Sequence, residues 1–294
     1  MNFYHVHWSK PIKLKRWEFD IQKHVEVILY HYSLSLAYLK KLGQTVDLYT
    51  DTEGAELFNH LPYDNIYVVL DDMDERIMGT NWAAGKIEAL KHSKLSDVYI
   101  DGDVFIKTQK CLDKIQDSAK YDGFFFGHEN MGQYDRPEEY LYFVPHNVPL
   151  QCLSFPYDIP VFGYDGCNGG LIMFNNQEYK DKFISAYDDM LKQVVSKRSF
   201  EKLYEKDRHI CFDLIMEQRF LWEVGKNYNI GYLVDFWNRD QDNIQNINKE
   251  CNAIGVQHVI GVVKYKKLDK CIETLQKINP DIYQKSYEKL QSYI

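Results

Sequence analysis

The chain lacks any run of the ~18 consecutive apolar residues that a membrane-spanning helix needs. It has no Cys-x-x-Cys pair. Its six cysteines stand at 111, 152, 167, 211, 251 and 271, so reduced, mostly buried thiols are expected rather than a zinc site or a disulfide framework. It has no basic stripe, and a net charge of -8 argues against nucleic acid as a partner. Internal repeats, low-complexity tracts and convincing linkers are also missing. Met1-Asn2-Phe3-Tyr4-His5-Val6 begins directly as a strand, with neither the charged n-region nor the long apolar h-region of a secretory signal. Together these absences give the expectation of a cytoplasmic protein with at most peripheral membrane contact.

What is present is enough for a full core. A length of 294 residues with 45% hydrophobic content fits one large α/β domain. Tyrosine is abundant at 23, beside 16 Phe and 5 Trp. Such an aromatic excess fits stacking on sugar rings and fits an aromatic core equally well.

Hydrophobic periodicity orders the elements. Phe3 to Val6 reads as the first strand. Ile21, Val25, Ile28, Tyr32, Leu36 and Leu39 recur at helical spacing, which predicts a helix from Ile21 to Leu42 with Gly43 as its stop. Strands are expected at Val46 to Thr50 and Ile66 to Leu70, then a helix from Trp82 to His92 and a strand from Val98 to Ile100. A short strand follows at 123–128, an irregular stretch at 129–164, a strand at Leu171 to Phe174, and helices at Glu178 to Val195 and Phe212 to Trp222. This alternation predicts an α/β fold with a mainly parallel central sheet flanked by helices. Ligands of such sheets lie at the carboxyl ends of the strands.

The strand at 98–100 runs into Asp101-Gly102-Asp103, followed by Val104-Phe105-Ile106. Two carboxylates inside an apolar run are costly to bury unless a cation neutralises them. Hard oxygens suit Mg or Mn, and glycine between them permits close approach of a ligand to the backbone. The alternative is a solvated turn between two short strands. Far along the chain stands His258-Val259-Ile260-Gly261-Val262-Val263-Lys264. Imidazole can supply a third metal ligand, and the lysine ammonium can sit on a phosphate as a point charge. Alone, His258 reads as a strand-end histidine; together with the acid pair it reads better as a ligand.

Asp101-x-Asp103 after an apolar strand, followed by His258-x-x-Gly261-x-x-Lys264, resembles the GT-A glycosyltransferases. The nearest likeness is to family eight, the glycogenin and galactosyltransferase group. Cys167-Asn168-Gly169-Gly170-Leu171 is similar to that family's Asn-small-Gly segment, and Glu217-Gln218-Arg219 to its Asp-Gln-Asp segment. The motifs keep the family's order over roughly 98 to 264. The chain departs from the family where Tyr265-Lys266 follow Lys264 in place of Pro-Trp, and where Glu217 and Arg219 replace the two acids.

The resemblance implies one GT-A catalytic domain over 1–294, with 129–164 as an acceptor-side insert and 265–294 as a C-terminal helical extension. It implies a hexosyltransferase that moves sugar from a nucleotide diphosphate sugar, with UDP-glucose or UDP-galactose as first candidates, to a carbohydrate or glycolipid acceptor. Asp101, Asp103 and His258 would hold Mn2+ or Mg2+. Val6, His7, Lys86, Asp101, Gly102, Asn168, Gly169, Gly170, Gly261 and Lys264 would line the donor. Gln218, Glu217 and Lys264 would serve catalysis. An amide is a poor nucleophile, so retention through same-face attack is expected, with Gln218 positioning the sugar. An inverting reaction would instead need a carboxylate base, for which Asp165 or Glu217 are candidates.

Several of these residues have plainer readings. Lys86 could be a solvated lysine on an amphipathic helix. Asp213 and Glu217, one turn apart, could be a solvated face, and Glu129 and Asp165 ordinary surface acids. Lys266, Lys267 and Lys270 could be a solvated face or a weak patch for an anionic membrane. Two other function classes stand beside the transferase. A haloacid-dehalogenase-type phosphatase also places Asp-x-Asp after an apolar strand, but wants Thr or Val where Phe105 stands and normally opens its fold with that strand. A nucleotide-sugar-binding module without turnover is the non-enzyme alternative.

Overall fold

A computed structural model of the chain describes residues 1–10, 20–73, 83–130, 165–196, 214–234, 243–259 and 263–293. The strands among them are β1 (Phe3–His7), β2 (Val46–Thr50), β3 (Ile66–Val68), β4 (Val98–Ile100), β5 (Val104–Ile106), β6 (Gly123–Asn130), β7 (Asp165–Phe174), β8 (Ile230–Val234) and β9 (Val256–His258). Seven of them form one sheet in the order β3-β2-β1-β4-β7-β6-β8, and β5 pairs with β9 in a second, two-stranded sheet. Only β7 runs against its neighbours in the main sheet. The fold is therefore α/β with a mostly parallel sheet.

The strand order places a crevice where it is useful. From β1 the chain steps outward to β2 and β3, then returns across β1 to β4. The connections thus leave β1 in opposite directions, and the carboxyl ends of β1 and β4 flank a topological switch point. His7 ends β1 there, and Asp101 directly follows β4.

Both faces of the sheet are covered, which is why β1, β2 and β4 are buried throughout. Helix α1 (Ile21–Lys41) lies on one face with Val25, Leu29 and Leu36 inward, and Gly43 in the left-handed region (φ 72°) ends it as expected. Leu268, Leu275, Ile282 and Leu290 of the C-terminal helices join the same apolar cluster. The opposite face is covered by α3 (Ala84–His92) through Ile87 and Leu90, and by Phe183, Tyr187, Phe220 and Leu221.

Several elements differ from the periodicity. β3 stops at Val68, because the N–H groups of Val69 and Leu70 both turn to Thr50 O at 2.9 and 3.1 Å. β7 begins at Asp165 rather than Leu171, so Glu129 and Asp165 lie on paired strands and not in an irregular insert. The stretch expected as a helix from Phe212 is a π-helical turn, Leu214–Arg219, followed by a short α-helix, Phe220–Gly225. Residues 131–164, which hold nearly all of the expected insert, lie outside the described residues. Cys111, Cys167, Cys251 and Cys271 are buried, and burial pushes the Cys111 and Cys271 thiols up to about 12. Among the described residues no helix is long and apolar enough to cross a membrane.

Candidate functional site

The acid pair is a turn between two short strands, but it is not solvated. Asp101 leaves β4, Val104 N donates to Asp101 O at 2.9 Å, and β5 departs into the other sheet. Asp101 N donates to Gly170 O at 2.9 Å, which ties the turn to β7. Asp103 is only 5% exposed. Gly102 is required by packing: a Cβ there would meet the Tyr32 ring at 2.2 Å. Tyr32 stands on α1 and donates to Val6 O at 2.6 Å, so one side chain links the end of β1 to the acid turn. Tyr99, two residues before Asp101 on the same face of β4, donates its phenol to Asp101 Oδ1.

The second sheet delivers the distant histidine. β5 and β9 are antiparallel, with Val104 opposite His258, and Val259 N donates to Asp103 O at 3.0 Å. His258 Nε2 comes to 3.4 Å from Asp103 Oδ1 and 3.9 Å from Asp101 Oδ2. One ligand atom from each of Asp101, Asp103 and His258 lies within 4.8 Å of the others. Ligands held about 2.1 Å from a small divalent cation stand roughly 3 to 4 Å apart, which the 3.4 and 3.9 Å separations of His258 from the two carboxylates match, so these three residues could hold Mg or Mn. Asp103 Oδ1 and His258 Nδ1 are both buried without a hydrogen-bond partner. A buried carboxylate oxygen without a hydrogen-bond partner, facing an imidazole, suits a cation bound through oxygen and nitrogen.

Electrostatics point the same way. Lys264, on the short helix Val263–Lys266, pairs with Asp103 Oδ2. Burial would raise the Asp103 carboxyl, but the Lys264 ammonium and His258 outweigh it and hold Asp103 far below the usual carboxylate range. On the other side Lys86 Nζ lies 3.0 Å from Asp101 Oδ1 and 3.0 Å from Glu217 Oε1. Lys86 is 6% exposed and Glu217 2%, so neither is the solvated surface residue that its helical pattern allowed. Burial opposes the charge on Lys86, yet the two carboxylates prevail and push its pKa upward. Three carboxylates thus share two ammoniums, a deficit that a divalent cation turns into a net positive site for an anion.

Asn168, Gly169 and Gly170 seat both sides of this arrangement. Between Phe125 and Gly127 of β6, β7 advances from Ile172 to Asn168, so four steps of β7 face two of β6. Irregular pairing of this kind re-aims backbone beside sites. A Cβ on Gly169 would meet Glu217 Oε1 at 1.8 Å, and one on Gly170 would meet His258 Cε1 at 2.6 Å. Asn168 is buried and its Oδ1 accepts from Gly170 N at 2.9 Å.

The remaining expected residues are less closely drawn in. The His7 ring packs edge-on to Phe58 at 5.0 Å, burial lowers its pKa to about 4, and its Nε2 is buried without a hydrogen-bond partner. Gln218 Oε1 is also buried without one. Asp165 Oδ1 lies 3.3 Å from His128 Nε2. Gly261 and Asp213 lie outside the described residues.

A family profile matches the chain over residues 1–293. The chain belongs to DUF6734, a family of unknown function. The DUF6734 match takes in every residue of the site, from His7 to Lys264. No curated protein matches the chain.

Sequence reasoning did not single out Tyr32 and Tyr99 as site residues. Tyr99 had a usable signal, since residues i and i+2 of a strand share a face and this one points a phenol at Asp101. Tyr32 had none, because its place in the apolar stripe of α1 reads as plain core.

Proposed function

We propose that this protein is a metal-dependent glycosyltransferase with a GT-A type fold, using a nucleotide diphosphate sugar as donor. The observation that carries the reading is the convergence of Asp101, Asp103, His258 and Lys264. They come from segments about 150 residues apart and meet beside the topological switch point of a mostly parallel sheet. Two carboxylates with one imidazole suit Mn2+ or Mg2+. When bound, such a cation supplies charge neutralisation on the leaving diphosphate.

The chain's own residues do the rest. Lys264 provides a fixed positive charge where negative charge develops on the departing diphosphate. Lys86 holds Asp101 and Glu217 in place rather than standing free toward the donor. Gln218 offers a buried carbonyl oxygen that has no hydrogen-bond partner, suited to positioning the sugar. Glu217 is buried against Lys86, which disfavours it as a base for an inverting attack. The reading keeps retention through same-face attack.

The test is release of nucleoside diphosphate from a panel of nucleotide sugars, led by UDP-glucose and UDP-galactose, with carbohydrate and glycolipid acceptors. Release should require Mn2+ or Mg2+. Turnover of p-nitrophenyl phosphate with no release from any donor would favour the phosphatase class. Metal and nucleotide binding with no turnover of either would favour a binding module.

A further inference from the structure

We infer that Tyr265, clasped to His24, is the positioning residue that holds Lys264 against the acid pair. The role of Lys264 toward a diphosphate rests on the reading above; the clasp rests on geometry alone. Lys264 sits on a helix of four residues, none of them buried. The Lys264 side chain is a third exposed. Apolar packing therefore does not hold the lysine itself, and a lysine side chain with no other restraint would sample many rotamers.

Tyr265 supplies what the helix lacks. Its ring packs against the main apolar cluster. Its hydroxyl shares a hydrogen bond with His24 Nδ1, and the two rings stack at 6.0 Å with 24° between their planes. His24 stands on α1, a helix of 21 residues anchored in the core. The contact spans 241 positions of sequence and joins the short helix to α1. Because Lys264 precedes Tyr265 directly, fixing the tyrosine fixes the lysine backbone and aims its ammonium at Asp103. Lys266 and Lys267, just beyond, are exposed.

Amine labelling of the ligand-free protein, read residue by residue by mass spectrometry, tests the clasp. In wild type Lys264 should label more slowly than Lys266 and Lys267. Tyr265→Ala should speed Lys264 by roughly three- to tenfold, the scale of one lost hydrogen bond with its contacts. Lys266, Lys267 and the buried Lys86 should be unchanged, which separates loss of the clasp from unfolding. Tyr265→Phe keeps the ring and should give part of the effect. His24→Gln should match it, and combining the two should add nothing. Unchanged Lys264 labelling in both Tyr265→Ala and His24→Gln would overturn the proposal. A second arm titrates uridine diphosphate into protein saturated with Mn2+. Tyr265→Ala should weaken binding in wild type and have no further effect on Lys264→Ala. If wild type binds no uridine diphosphate, the transferase reading fails while the labelling still decides the clasp.

Discussion

Lys86 Nζ lies 3.0 Å from Glu217 Oε1, with both side chains buried and 131 positions apart in sequence. A buried ammonium that has lost its partners, or a carboxylate that has lost its ammonium, is an uncompensated charge. Lys86→Ala strands Asp101 and Glu217 together and should cost about 3–5 kcal/mol in urea unfolding. Glu217→Gln keeps an acceptor for Lys86 and should cost distinctly less. A loss below about 1 kcal/mol for Lys86→Ala, the surface-pair scale, would contradict the buried arrangement.

Lys264 and a metal compete for Asp103. Lys264→Ala should therefore tighten binding of Mn2+ alone, while transfer slows by ~10²-fold or more because one transition-state charge contact is gone. Lys266→Ala with Lys267→Ala should leave transfer to a soluble acceptor nearly intact. Opposite movements of metal affinity and rate cannot come from general loosening of the fold. Weaker Mn2+ binding in Lys264→Ala would show that the lysine supports the metal instead of competing with it.

Gly102 and the Tyr32 ring are fitted to each other, with 2.2 Å between that ring and the place a Cβ would take. Gly102→Ala should cost about 1–3 kcal/mol by overpacking. It should also lower Mn2+ affinity, because the turn carries both carboxylates. Replacing Tyr32 by Ala in the same chain should make the added methyl group harmless, so that the two changes together cost less than their sum. Simple additivity would mean that the glycine serves something other than this ring.

His5 is buried beneath the site, with its ring nitrogens hydrogen-bonded to Tyr63 Oη at 2.8 Å and Ser35 Oγ at 3.0 Å. Burial lowers its pKa to about 3. The unfolded chain takes up a proton near pH 6.5 while the folded chain does not, so folded stability is full above about 6.5 and falls as pH drops toward 3. The slope per histidine is at most about 1.4 kcal/mol per pH unit. Urea midpoints measured from pH 7 to pH 4.5 should fall less steeply in His5→Gln than in wild type. Parallel curves would show that His5 does not govern this limb.

Much of this was legible in the chain. The apolar alternation around β1, β2 and β4 and the stripe of α1 are local signals, and they gave the sheet and its largest helix. The members of the candidate site could be picked out because Asp101, Asp103, His258 and Lys264 carry chemistry in their residue types. Their meeting was expected from the family resemblance and not from any local pattern, since it depends on β5 pairing with β9 across some 150 positions, where short apolar strands hold no register signal of their own. β7 was read short because Asn168-Gly169-Gly170 breaks the alternation; the glycines are there to admit Glu217 and His258. The burial of Lys86 and Glu217 was hidden for a different reason. A charged residue on a helix reads as solvated until its partner is known, and the partner lies on another element.

Calorimetric titration of uridine diphosphate, with and without Mn2+, tests the metal-dependent donor site most directly. Wild type should bind the nucleotide far more tightly with Mn2+, and Asp103→Ala and His258→Ala should each abolish that gain. Equal affinity with and without metal, or an undiminished gain in both variants, would contradict a metal site built from Asp101, Asp103 and His258.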